Sequence, residues 1–361
     1  MRKIIRPIIL FATFMAGLLL VVCIAAAGIF AFFNSAPDFS PDIISSKDGL
    51  ELEPPDGKQI VVLFEVRKGE SSQSVGRRLA DVSLIRNTLF WNMLGRFSKE
   101  HIKAGTYRLE VPSNQVAIRR LLESGLQVLH KVTISEGSTI GRSATILEEA
   151  GICSAADFIA AANDPQMVER YHIPGESMEG YLFPETYLFP LDFPAARVVQ
   201  TLADTFFSRL ASIDEGLAAL PPGELDRLVT LASIIEREYR RSEEAPVMAG
   251  VFLNRLNIGM ALQSCATVEY IITEIQGKPH PKVIFYQDLE IRNPYNTYLH
   301  PGLPPGPISS PGPVALRAAM HPSQTNFLYF RLIEPSSGKH YFSSTMDEHI
   351  QAGTLYVKDS P

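Results

Sequence analysis

Residues Leu231–Tyr270, LASIIEREYRRSEEAPVMAGVFLNRLNIGMALQSCATVEY, decide how this chain is read. The stretch opens on the end of a helix that starts near Glu224 and carries Leu225, Leu228, Val229, Ala232 and Ile235 at helical spacing. Glu236 and Glu238 close that helix. At 100° per residue they fall on opposite flanks of the apolar stripe, so periodicity does not choose between them. A carboxylate at the end of an apolar helix is one that burial can turn into a proton donor near neutral pH. The competing reading is a pair of solvated flank glutamates facing Arg237, Arg240 or Arg241. A second apolar-periodic segment carries Asn254 and Arg255, and a short polar loop, Gln263-Ser264-Cys265, follows it.

The rest of the chain sets the context. Its 361 residues leave room for one membrane segment and two or so folded domains. With 46% hydrophobic and 20% charged residues, it is globular rather than disordered. A net charge of -6 argues against a general nucleic-acid binder, so no nucleic-acid partner is expected. The three cysteines show no CxxC spacing, which argues against a zinc site or a disulfide framework. Cys153 and Cys265 are expected as two buried free thiols.

Arg2, Lys3 and Arg6 precede an apolar run from Pro7 to Phe33, longer than the roughly 20 residues that span a bilayer. The expectation is a cytoplasmic tail at 1–6 and a transmembrane signal anchor at 7–33. The basic flank puts the N-terminus in the cytoplasm and the bulk of the chain outside the cytoplasmic (inner) membrane. A cleaved signal peptide is the rival; the run exceeds the usual apolar core of such peptides and lacks a convincing small-x-small site. Residues 34–57, rich in Pro, Ser and Asp, read as an exposed spacer.

In residues 58–132, the spacing predicts a strand at Gln59–Val66, helices around Val75–Val82 and Arg86–Phe97, and a strand at Gly105–Leu109. Strand–helix–helix–strand is the pattern of a LysM-like module. Such a module either contacts glycan or serves as scaffold, and the pattern leaves both open. Further helices are expected at Asn114–Glu123, Thr139–Ala150, Ala155–Asn163 and Ala195–Leu210, with a strand at Gln127–Ile134. Ser135-Glu136-Gly137 reads as a turn with a solvated glutamate. Glu179–Tyr187, EGYLFPETY, reads as a rigid extended loop whose rings either stack on sugars or fill the core.

Several runs together resemble the MltG/YceG-like endolytic murein transglycosylase family. They are Ala232–Glu238, Val251–Leu256, Leu262-Gln263-Ser264, Thr267-Val268, Tyr295–Tyr298, Gly302–Ile308, Glu179–Tyr187, His321-Pro322 and Leu328-Tyr329-Phe330. The resemblance implies an α+β chain: an N-terminal transmembrane helix, a LysM-like βααβ module, then a mixed α+β catalytic domain at 133–361. It implies a lyase that cleaves MurNAc-β-1,4-GlcNAc bonds in nascent peptidoglycan strands and leaves 1,6-anhydroMurNAc ends, with no cofactor and no metal. Glu236 matches the family's catalytic acid. Glu238, Asn254, Gln263, Tyr295, Asn296 and Thr297 are the candidate substrate-binding residues, and Arg255 is expected as a structural ion-pair partner. The implied partners are peptidoglycan glycan strands, the membrane through residues 7–33, and peptidoglycan synthases. One departure stands out: where the family usually has Asp after Gln263-Ser264, this chain has Cys265. That favours an alternative, a catalytically impaired membrane-anchored peptidoglycan-binding or assembly protein. An ordinary hydrolase would pair Glu236 with Glu185 or Glu269.

Overall fold

The computed structural model describes the backbone of residues 2–38, 50–53 and 60–355, with side chains for 13–38 and 60–353. The chain divides into two compact units, Met1–Leu129 and His130–Pro361.

The first unit begins with helix α1 (Arg2–Asn34). Within it, Thr13–Asn34 has a mean hydropathy of 2.7 and is long and apolar enough to cross a membrane. Strand β1 (Leu50–Glu53) follows, then β2 (Ile60–Val66), helices α2 (Ser72–Asp81) and α3 (Thr88–Phe97), strand β3 (Gly105–Val111) and helix α4 (Gln115–Ser124). The strands form an antiparallel sheet in the order β1-β2-β3, with Ile60 opposite Val111 and Val66 opposite Gly105. Tyr107, Leu109 and Val111 of β3 point inward and Arg108 and Glu110 outward, the period-2 pattern of a half-buried strand. Ser71, Asn87 and Asn114 cap α2, α3 and α4 by accepting backbone N–H groups. Gly76 is required because any Cβ there would overlap Trp91, which fills the centre of this core. β1 lies inside the 34–57 stretch read as spacer. Its Leu-Glu-Leu-Glu alternation is a strand signal, but four residues between Pro- and Asp-rich flanks are too short to register as one without their β2 partner.

The second unit is a separate, mostly helical layer structure. Its elements are β4 (His130–Thr133), α5 (Ile140–Glu149), α6 (Ala155–Ala162), α7 (Pro165–Arg170), β5 (Thr186–Phe189), α8 (Ala195–Ile213), α9 (Glu215–Ala219), α10 (Pro222–Glu238), α11 (Ala245–Asn257), α12 (Cys265–Tyr270), α13 (Pro313–Met320), β6 (Tyr329–Glu334), β7 (Lys339–Ser343) and α14 (Met346–Leu355). Two antiparallel strand pairs accompany the helices: β6-β7 is a hairpin, whereas β4 and β5 are joined through α5, α6 and α7. The Glu179–Tyr187 loop runs into β5, and its Tyr181, Leu182 and Phe183 are buried in the core, Tyr181 against Phe206. α10 packs against α11, α12 and α13. Every residue from Val229 to Ile235 is buried. The stripe seen in the sequence therefore widens into a fully enclosed helix end, and that encloses whatever follows it.

Candidate active site

Glu236 is the first residue of α10 past this buried run, and it is half-buried. Its carboxylate accepts the Gly312 N–H at 2.9 Å and, on the other oxygen, the Tyr239 hydroxyl at 3.3 Å. Gly312 comes from the Gly302–Pro313 run, which is threaded through the interior. The Ile308 N–H donates to Ser233 Oγ at 3.0 Å, and Ser309 Oγ donates to the Ser233 carbonyl at 3.2 Å. On its other side, the Gly137 N–H donates to the Ser310 carbonyl and the Ser310 N–H to the Ser138 carbonyl. The loop is thus stitched between α10 and the Ser135–Ser138 turn. A Cβ at Gly312 would overlap the Glu136 carboxylate, which would have to swing aside.

These contacts place two carboxylates beside one backbone N–H, at the wall of a cleft of about 660 Å³. Glu136, Glu236 and Glu274 line it, together with Arg142, Arg237 and Lys278. Burial, aided by the nearby charge of Glu136, raises the pKa of Glu236 from 4.5 to about 7. The Gly312 and Tyr239 hydrogen bonds and Arg237 oppose the rise. Burial, then the charge on Glu236, pushes the Tyr239 phenol up, so it stays a donor.

Glu238 faces another environment. It accepts the Ser264 hydroxyl at 2.5 Å, and burial raises its pKa against that bond. Neither glutamate takes an arginine as its hydrogen-bond partner among the described residues: Arg237 pairs with Glu269 at 2.8 Å and Arg241 with Glu243. Glu185 is ion-paired with Arg209 at 2.7 Å.

The other candidate residues are placed as follows. The Asn254 amide donates to the Thr325 and Phe327 carbonyls at 2.8 and 2.9 Å. Asn296 is fully buried; its amide donates to the Leu289 and Ile291 carbonyls and accepts the Tyr298 N–H. Buried Thr297 accepts the Ser264 N–H and shares a hydrogen bond with Thr267. Asn254 holds the 325–327 segment against α11, Asn296 and Thr297 hold the 263–267 and 286–298 segments, and none of the three lines the cleft. Tyr295 is half-buried with its ring 5.1 Å from that of Tyr270. Gln263 is exposed at φ 53° and meets Thr297 through its backbone. Arg255 is structural, but its partners are the Leu328 and Leu262 carbonyls and the Tyr329 ring rather than a carboxylate. Buried arginine finds carbonyls here because the chain turns back on α11 at both places.

Cys265, where Asp was expected from the resemblance, meets the Tyr298 hydroxyl at 3.1 Å. Although the residue as a whole is exposed, partial desolvation of its thiol raises the pKa and favours the unreactive form. All the cysteines are free; Cys265 is exposed and Cys153 half-buried, where two buried thiols were expected. An exposed position at the start of the short α12 accounts for the difference at Cys265.

Glu136 is an exposed turn glutamate, as expected, but its place beside Gly312 and Glu236 was not foreseen, and Glu179 was missed. Glu179 is buried, accepts the Ile140 N–H at 3.2 Å, and burial raises its pKa to about 8. No local signal marks either residue, because each gains its environment from segments far away in the chain.

The YceG-like family profile matches residues 64–354. The chain is 30% identical over 272 residues to the endolytic murein transglycosylase of Bacillus subtilis, covering 71% of this chain and 73% of that protein. It is 28% identical over 325 residues to the endolytic murein transglycosylase of Streptococcus pneumoniae, covering 80% of this chain and 57% of that longer protein. The crystal structure of a yceG-like protein from Listeria monocytogenes superposes with a TM-score of 0.55 at 30% identity, over 81% of this chain and 99% of that one.

Proposed function

This chain belongs to the YceG-like family, and from that premise we propose that it is a membrane-anchored endolytic lytic transglycosylase acting on peptidoglycan. The observation that carries the reading is Glu236: a half-buried carboxylate in a cleft, with a pKa near 7 and a backbone N–H on one oxygen. At that pKa the carboxylic acid and the carboxylate are both populated near neutral pH, which suits a group that must give a proton and then take one.

In the proposed reaction, Glu236 protonates the oxygen linking MurNAc C1 to the GlcNAc leaving group, and the C1–O bond breaks. The muramic 6-hydroxyl attacks C1 of its own sugar and passes its proton to the ionised Glu236. The products are a 1,6-anhydroMurNAc end and a free GlcNAc hydroxyl, and the acid is regenerated. An internal nucleophile gives the advantage of a unimolecular attack. The Gly312 N–H stabilises the carboxylate after the first transfer, and the charge of Glu136 keeps it basic enough for the second. Glu238, Asn254, Asn296 and Thr297 act as positioning residues for the loops, while exposed Gln263 and half-buried Tyr295 are the candidates for sugar contact.

We place the chain in the cytoplasmic membrane by α1, with its N-terminus inside, the two units outside, and glycan strands and their synthases as partners. Retention of α1 is supported by its hydrogen bonds to the first unit: Asn34 accepts the Val116 N–H, and the Phe33 carbonyl accepts the Gln115 amide. The βααβ order of β2-α2-α3-β3 supports the LysM-like reading of that unit. The domain limits proposed from sequence, 58–132 and 133–361, stand beside a contact boundary after Leu129.

Two observations favour rivals. Cys265 in place of Asp favours a binding protein without catalysis, and Glu136 beside Glu236 offers a hydrolase a second carboxylate. Mass spectrometry of glycan strands digested with the full chain separates all three. Anhydro ends support the proposal, reducing ends mark a hydrolase, and bound but uncut strands mark an inactive binder. Glu236→Gln is expected to abolish the anhydro ends.

A further inference from the structure

The last turn of α1 is not joined to the first unit by a free linker alone. The Phe30 ring lies 5.4 Å from Phe90 of α3, and Phe33 stacks on it at 6.3 Å. Arg86 donates to Ser35 Oγ at 3.1 Å and to the Ala36 carbonyl, and its guanidinium lies 5.1 Å over Phe32. With the Gln115 and Val116 bonds, contacts from the start of α3, the segment before it and α4 clasp the end of the apolar span.

That clasp sets a depth. If α1 crosses a bilayer, Phe30–Phe33 end the crossing, and Phe90 lies level with them. Phe90 sits on the flank of a ridge on α3 formed by Leu89, Met93 and Phe97, spaced four residues apart on one helix face. Their exposures are 81%, 43% and 83%, although Trp91 on the opposite face is fully buried. Arg96 borders the ridge on the side away from Phe90, and Lys99 follows the helix end, both exposed. The ridge itself carries no group that hydrogen-bonds a sugar. Through Phe90 it neighbours the exposed apolar surface of α1, and its edge carries cations of the kind that pair with lipid phosphates.

We propose that α3 is a second membrane contact, its Leu89–Met93–Phe97 ridge lying in the interface of the extracytoplasmic leaflet beside α1. This rests on the reading of α1 as a retained anchor. The first unit then lies on the bilayer in a defined orientation rather than swinging from its anchor.

The test uses the full chain in phospholipid nanodiscs with single spin labels and paired oxygen and nickel-complex accessibility. A label on native Cys23, with Cys153 and Cys265 replaced by serine, reports whether α1 spans. With Cys23 replaced as well, labels at Leu89→Cys, Met93→Cys and Phe97→Cys report the ridge, and Glu110→Cys on the exposed face of β3 is the control. The expected result is ridge labels about 5–10 Å below the phosphates, favouring oxygen, with the control in water. Ridge labels as wet as the control, with Cys23 in hydrocarbon, overturn the proposal and leave the anchor reading intact. A Cys23 label outside the hydrocarbon removes the anchor reading itself. Ridge labels shielded only on adding glycan strands, or only at high protein density, assign the ridge to glycan or to a second copy and also overturn the proposal.

Discussion

Replacing Glu236 by glutamine should make the protein inactive and, at alkaline pH, more stable. Burial and Glu136 move the Glu236 pKa from 4.5 in an ordinary carboxyl to about 7 in the fold. At 1.36 kcal/mol per pKa unit, this corresponds to roughly 3 kcal/mol, an upper figure because the group is half-buried and partly screened. The sign follows from linkage. The folded pKa is above the unfolded one, so the unfolded chain loses this proton first as pH rises. Stability falls between about pH 4.5 and 7, and the full cost applies above pH 7. Glutamine cannot ionise, keeps an oxygen for the Gly312 N–H, and avoids that cost. The variant should match the wild type near pH 4 and exceed it by roughly 2–3 kcal/mol at pH 8, while losing about 10²–10⁴ in rate through loss of the proton donor. Urea unfolding at both pH values, read by hydrogen exchange of the α10 peptide, measures the first effect, and anhydro-end formation measures the second. Equal stability gain at pH 4 and pH 8 would refute the buried-acid reasoning, and retained activity would refute the assignment.

Glu136→Gln removes the like charge that raises Glu236, so the alkaline limb of the kcat/KM profile should move to lower pH; an unmoved limb would place Glu136 outside the electrostatics of the site. Gly312→Ala should displace the Glu136 carboxylate and weaken the N–H bond to Glu236, lowering activity about tenfold at a stability cost of about 1 kcal/mol or less, checked by kinetics and denaturant midpoint. Asn296→Ala orphans the Leu289 and Ile291 carbonyls and the Tyr298 N–H, so it should cost roughly 2–4 kcal/mol of stability, with KM changed only as far as the loop loosens. Cys265→Ser can keep a bond to Tyr298 and should leave product formation near wild type; a large loss would give the thiol a direct role.

Much of the fold is legible in the sequence because helices and strands announce themselves locally. The capped helices of the first unit, the alternating β3 and the apolar run of α1 all follow from period and cap chemistry. β1 was hidden because four residues form a strand only once β2 offers an edge. The limits of the site were of another kind. Asn254, Asn296 and Thr297 carry the right groups for sugar recognition, but the folded chain occupies those groups with carbonyls and N–H groups 2 to 73 residues away in sequence.

The sequence by itself determined that an apolar helix ends in two carboxylates, that an apolar span opens the chain, and that a Gly-Pro-rich run follows the candidate helix. Only the tertiary structure gave the two carboxylates different surroundings. Periodicity describes one helix and places Glu236 and Glu238 symmetrically about its stripe. The asymmetry comes from Gly312, 76 residues away, and from Glu136 in a turn a hundred residues upstream. A pKa is set by the dielectric and charges within a few ångströms, and those neighbours are assembled by the fold rather than by adjacency in the chain.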